Sequence, residues 1–193
     1  IWTDCTTPDL PLAPPARLTR ELSQGLETML ENHGGLGVYI LVLGNAAYDP
    51  ALWPGFRAAL GARHVKLSDA LVDALRTGAR QDEPEDDLMV FLKLAAIGFE
   101  RLGLPETRTL DPWRVQFNPL RALRPPRASG QRYSGLARPY DPTGFQFNKP
   151  FLAREIFWQG ELAGRSARLL YNKFPFARLH GLLVPEPARG WPQ

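Results

Sequence analysis

Apolar positions recur at helical spacing early in the chain and gather into strand-sized runs towards its end. Leu18, Leu22, Leu26, Met29 and Leu30 fall three and four residues apart, which predicts a helix over Arg17–Asn32 closed by His33-Gly34-Gly35. Val38 to Leu43 is a short continuous apolar run rich in β-branched residues and reads as a buried strand, with Gly44 to Pro50 a loop after it. Two short helices are expected next, over Ala51–Leu60 and over Ser68–Thr77. The second is capped by Ser68, packed through Leu71, Val72 and Leu75, and closed by Gly78. His64, between Arg63 and Lys66, reads as exposed. A further amphipathic helix is predicted over Glu85–Leu102, with Pro84 and three acids suited to its first turn.

After Gly103-Leu104-Pro105 the pattern changes. Val115 to Asn118 is strand-like, and Tyr140 to Gly144 reads as a turn. Arg154 to Gln159 alternates, Gly160 to Gly164 reads as a hairpin loop, and Arg165 to Asn172 returns. Gly181 to Val184 is a last apolar run stopped by Pro185. Phe151 to Val184 is thus expected to form three antiparallel strands. The expected class is α+β: a proline-rich arm (1–16), a mainly helical region (17–105) and a strand-based region (106–193).

Charge sharpens this division. The 193 residues carry a net charge of +3, but residues 1–105 hold 9 Lys and Arg against 14 Asp and Glu, and residues 106–193 hold 14 against 6. A basic half of this kind attracts phosphates, nucleotides or nucleic acid. Arg108, Arg114, Arg121, Arg124, Arg127, Arg132 and Arg138 are met by one acid, Asp111, and the guanidinium fork suits phosphate oxygens. The acidic cluster Asp82, Glu83, Glu85, Asp86 and Asp87 lacks the spacing and glycine of a calcium loop and reads as a solvated helix start. The glycines of Gly34-Gly35-Leu36-Gly37 precede the apolar run, so a dinucleotide fingerprint is excluded. A lone cysteine, Cys5, excludes a disulfide framework and a cysteine-cluster metal site. No apolar run approaches the roughly 18 residues of a membrane span, and the default location is the cytoplasm.

Two blocks carry a resemblance. Asn172-Lys173-Phe174-Pro175, then His180, then the apolar run to Pro185, is similar to the histidine-triad superfamily in its branch of nucleotide phosphorylases and nucleotidyltransferases. Upstream, Gln116-Phe117-Asn118-Pro119-Leu120-Arg121 resembles a second segment of that branch. The resemblance covers residues 111 to 193 and none of the first hundred. It implies a nucleotide or nucleoside diphosphate sugar as substrate, phosphate as co-substrate, and a covalent nucleotidyl-histidine intermediate. It places Asn172 by the ribose hydroxyls, with Lys173 and His180 also at the nucleotide and His180 behind the nucleophile. Asn118 and Arg121 become the phosphate contacts. Some members carry a Cys-x-x-Cys pair where this chain has Phe145 to Asn148, so no zinc is expected, and no cofactor.

The nucleophilic His-x-His-x-His/Gln strand of the family has no counterpart here. His33, His64 and His180 each stand alone. The sequence, which starts at Ile1 and stops soon after the last strand, is therefore expected either to continue or to be completed by a second chain. Alone, it is expected to be inactive. Two other readings stand beside this one. The first is a nucleic-acid module using the arginines with Phe145, Phe147 and Trp158. The second is an accessory subunit that keeps the fold without the reaction.

Overall fold

A computed structural model describes residues 14–79, 82–125 and 147–189. The chain is α+β, with helices first and antiparallel strands after. Its elements are α1 (Pro15–Asn32), α2 (Leu36–Tyr48), α3 (Trp53–Thr77), α4 (Glu85–Ile97), β1 (Glu106–Leu110), β2 (Trp113–Phe117), the one-turn α5 (Pro119–Ala122), β3 (Ile156–Leu162), β4 (Arg165–Tyr171) and β5 (Gly181–Pro185). Two compact units divide it. One comprises Ser23–Pro125 together with Asn172–His180. The other takes Ile1–Leu22, Pro126–Tyr171 and Gly181–Gln193.

The centre of the first unit corrects the sequence reading. The run Val38 to Leu43 is helix rather than strand, and α2 continues through the expected loop to Tyr48. Nearly every residue of α2 is buried, and it packs against α3 and α4. A helix covered on all sides has no polar stripe, so its sequence lacks the periodicity that marks helices. Glu83 supplies a cap from a distance: its carboxylate accepts the Leu36 N–H at 3.0 Å. The two helices expected over 51–77 are one, α3, so Ser68 lies inside it rather than capping it. Gly78 ends α3 in the left-handed region at φ 68°, as anticipated. Likewise α4 stops earlier than Leu102, at Gly98 (φ 89°), and a 3-10 turn over Phe99–Arg101 follows.

His64 is not exposed; it is 9% accessible. Its ring lies among Tyr39, Phe91 and Phe99, at centroid distances of 5.9, 5.2 and 5.7 Å. Nδ1 is 3.0 Å from the Tyr39 hydroxyl, so the two buried polar groups satisfy each other with one hydrogen bond. Burial lowers the His64 pKa and raises that of Tyr39, which keeps both groups uncharged in the core.

In the second unit the three expected strands form one antiparallel sheet in the order β3-β4-β5. Leu152, Leu170 and Val184 make its core, with Phe147, Ile156 and Leu182 packed against them. A register shift between Ile156 and Trp158 lets the neighbours Phe157 and Trp158 both be buried. Trp158 is thus core and no stacking surface for nucleic acid, and Phe147 also packs inward; Phe145 lies outside the described residues. Gly160 is in β3 and not in the turn. A Cβ there would meet the Trp158 indole at 2.8 Å, so the glycine makes room for the ring. The turn proper is Ala163-Gly164, with φ 52° and 73°, the two left-handed residues of a type I′ hairpin. The proline-rich arm before Pro14, the turn at Tyr140 to Gly144 and Arg127, Arg132 and Arg138 lie outside the described residues.

Candidate functional site

The bend Asn172–His180 links β4 to β5 and belongs to the helical unit. Its sequence dictates an extended course. Pro175 disfavours helix at Phe174, and the Asn172 side-chain oxygen accepts the Phe174 N–H at 3.0 Å, an Asx turn. The bend therefore has few hydrogen bonds of its own, and its carbonyls need donors from elsewhere.

Those donors come from two places, the end of α2 and the start of α5. Asn45 Nδ2 donates to the Asn172 carbonyl at 2.9 Å, and the Tyr48 hydroxyl donates to that of Phe176 at 2.9 Å. Arg121 Nη1 donates to Phe174 at 2.8 Å, and Asn118 Nδ2 donates to Pro175 at 3.0 Å. Four carbonyls out of five successive residues are thus each met by one side chain. The fifth, that of Lys173, lies over Gly44, close enough that a Cβ on Gly44 would be 2.6 Å from it. Two ion pairs complete the attachment. Lys173 pairs with Asp87 of α4, and Arg178 Nε donates to Asp49 Oδ2 at 3.0 Å.

Asn45, Tyr48 and Asp49 stand three and four residues apart, on one face at the end of α2. Gln116 of β2 donates to the Tyr48 hydroxyl at 2.7 Å and orients it. Asn118 also works through its Oδ1, which accepts the Arg121 N–H at 3.0 Å and caps α5. That cap starts α5 next to the bend, where Arg121 reaches Phe174 and also lies 5.0 Å over the Phe176 ring.

His180 closes the bend. Leu179 before it adopts φ 55°, a left-handed conformation that costs a non-glycine residue about 1–2 kcal/mol, and the reversal turns the imidazole back over the loop. Nδ1 accepts the Phe176 N–H at 3.2 Å, and Asn172 Nδ2 lies 3.1 Å from Nε2. The ring meets Phe176 edge-on at 4.2 Å. Two donors aim at a ring that has one acceptor when neutral and none when protonated. Burial, and then the charge of Arg121, lower the His180 pKa. This histidine is neutral near pH 7 and suited to orienting a neighbour.

All five residues singled out in the sequence, Asn118, Arg121, Asn172, Lys173 and His180, therefore meet at one bend. Each also holds the bend in shape, a role that residue type alone does not reveal. The sequence reading missed Gly44, Asn45, Tyr48 and Asp49, because it placed them in a loop. It missed Asp87 because a carboxylate in a helical first turn is usually solvated. The 3.6-residue spacing of Asn45, Tyr48 and Asp49 is the signal that a helical reading of 36–48 would have exposed. Among the described residues no cluster of three or more His, Cys, Asp or Glu could hold a metal ion, and no helix is long and apolar enough to cross a membrane. No protein-family model, curated protein or solved structure matches the chain.

Proposed function

We propose that the bend Asn172–His180 is one wall of a nucleotide site, and that the chain is part of a nucleotide phosphorylase or nucleotidyltransferase. The observation that carries this reading is the convergence of Asn118 and Arg121 with Asn172, Lys173 and His180, two blocks far apart in sequence. In this reading the second N–H and the free lone pair of the Asn172 amide meet the ribose diol. Arg121 uses one of its five donors on Phe174, and the others face the phosphates. Lys173, held by Asp87, retains further N–H donors for the same anion. Neutral His180 is a positioning residue for a nucleophilic histidine. That nucleophile lies outside these 193 residues, since no His-x-His pair occurs in them, and phosphate or a sugar phosphate accepts the nucleotide in the second step.

The test is calorimetric titration of the chain with ADP, GDP and UDP-glucose at low and high salt. The expected result is binding of at least one of them that survives high salt and weakens at least tenfold in Arg121→Ala. No binding of any of the three refutes the site. Steeply salt-dependent binding of long polyanions alone replaces it with a nucleic-acid module. Steady-state turnover by the isolated chain would refute the assignment of the nucleophile to another segment.

A further inference from the structure

His180 stands between two fixed points of the chain. Arg178, before it, is held to Asp49 of α2, and Gly181, after it, pairs with Tyr171 in the β4–β5 ladder. Upstream, the Tyr48 hydroxyl holds the Phe176 carbonyl. Leu179 and His180 are the two residues between the nearer anchors. Leu179 is left-handed at φ 55°, a strained state for a residue with a Cβ. Such strain persists where the surroundings over-determine it. Here the Phe176 N–H donates to His180 Nδ1 at 3.2 Å and closes the reversal, and the edge contact of the two rings at 4.2 Å backs it. That hydrogen bond exists only while Nδ1 carries no proton.

We propose that His180 is an acid-released latch: the neutral ring holds residues 176–180 in a closed reversal, and its protonation frees Leu179 and His180 to turn outward while the rest of the bend stays in place. The closed arrangement has no room for the second proton. A proton on Nδ1 points at the Phe176 N–H, and Nε2 already faces the Asn172 amide nitrogen at 3.1 Å, so the imidazolium meets a donor on both sides. The charged groups around it give no relief. From α5 comes Arg121, whose charge adds to burial in opposing protonation of the closed form. The bend brings Lys173 and Arg178, each paired with its own acid, Asp87 of α4 and Asp49 of α2. Among the described residues no carboxylate pairs with the ring. Turned outward, the imidazolium is solvated and leaves Arg121, and Leu179 returns to an unstrained conformation. The bonds that hold the carbonyls of Asn172, Phe174, Pro175 and Phe176 involve no histidine and remain. A ring in water titrates at about 6.5 and the closed ring lower. The latch is therefore shut above that pH and opens as pH falls below it, whether or not the bend takes a nucleotide.

Amide hydrogen exchange, read by NMR on the full chain between pH 7.5 and 5 and corrected for the intrinsic pH dependence of exchange, tests this. The Phe176 amide is expected to lose protection by roughly tenfold or more on acidification. The Phe174 amide, bonded to Asn172 Oδ1, is expected to keep its own. In His180→Gln the side-chain oxygen accepts a hydrogen bond without titrating, so the protection of Phe176 should no longer depend on pH. Leu179→Gly removes the strain that favours opening, and the transition should move to lower pH by about half a unit. Protection of Phe176 that is the same at pH 7.5 and pH 5 overturns the latch. So does a loss shared by Phe174 and the amides of α2, which is unfolding of the whole unit and no local release. A transition that persists unchanged in His180→Gln also overturns it, since another group is then the one that titrates.

Discussion

Gly44 and Lys173 approach so closely that the space for a single methyl group on Gly44 is taken by the Lys173 carbonyl oxygen, 2.6 Å from where a Cβ would sit. Alanine is otherwise favoured over glycine in a helix by about 1 kcal/mol. Here the sign reverses. Gly44→Ala is expected to destabilise the protein by about 1–3 kcal/mol, the range for overpacking a filled interior. Urea denaturation of the two proteins gives the difference directly. A gain in stability would mean that the bend does not lie on α2.

The Lys173–Asp87 pair is mostly shielded, with side chains 23% and 11% accessible. Removing one partner leaves the other charge poorly solvated, so Asp87→Asn is expected to cost about 3 kcal/mol. Lys173→Met alone should cost a comparable amount. The double variant should lose much less than the two together, because no unpaired charge remains. A double-mutant cycle with additive losses would show that the two groups do not interact.

His180 and His64 both have folded-state pKa values below the ordinary histidine value of about 6.5. The unfolded chain therefore binds these protons at a higher pH than the folded one. Their contribution is complete above pH ~6.5 and is lost as pH falls through the lowered folded values. Stability measured between pH 7.5 and 5 is expected to decline. In His180→Gln the decline should be shallower. Replacing Arg121 by Met removes one cause of the shift, so NMR titration of His180 should move upward. A pKa unchanged by Arg121→Met would remove the guanidinium from the neighbourhood of the ring.

Ala163 sits at φ 52° in the β3–β4 turn. An L-residue with a Cβ is strained there by about 1–2 kcal/mol. Ala163→Gly relieves the strain while making the unfolded chain more flexible, so the net gain is expected near 1 kcal/mol. Asn, which tolerates this conformation, should recover part of it. Thermal unfolding of both variants checks the order Gly, Asn, Ala.

What could be read from the sequence followed how each residue meets solvent. The three strands of the β3-β4-β5 sheet were legible because turn signals, Gly164 after β3 and Pro175 after β4, bound the apolar runs. α1 was legible because one of its faces is wet. α2 was not, because burial on every side erased its period, and with it went Asn45, Tyr48 and Asp49. The β1 strand, Glu-Thr-Arg-Thr-Leu, was invisible because it is exposed on both faces and its residues fit a loop equally well. At the bend, Asn-x-Phe-Pro and the later histidine announced a turn with polar groups. The partners that fix those groups lie scattered at 45, 48, 87, 118 and 121, and only the folded chain says which of many polar residues arrives.

That scattering also bears on folding kinetics. The bond from Asn45 to the Asn172 carbonyl closes 127 residues of chain, and that from Tyr48 to Phe176 closes 128. Contacts of such long range contribute nothing until the intervening polypeptide is already compact. The bend is therefore expected to be among the last parts to acquire its shape, after α2, α3 and α4 have assembled. A chain halted before residue 172 would leave Asn45, Tyr48 and Asp49 facing water at the end of an otherwise formed helix.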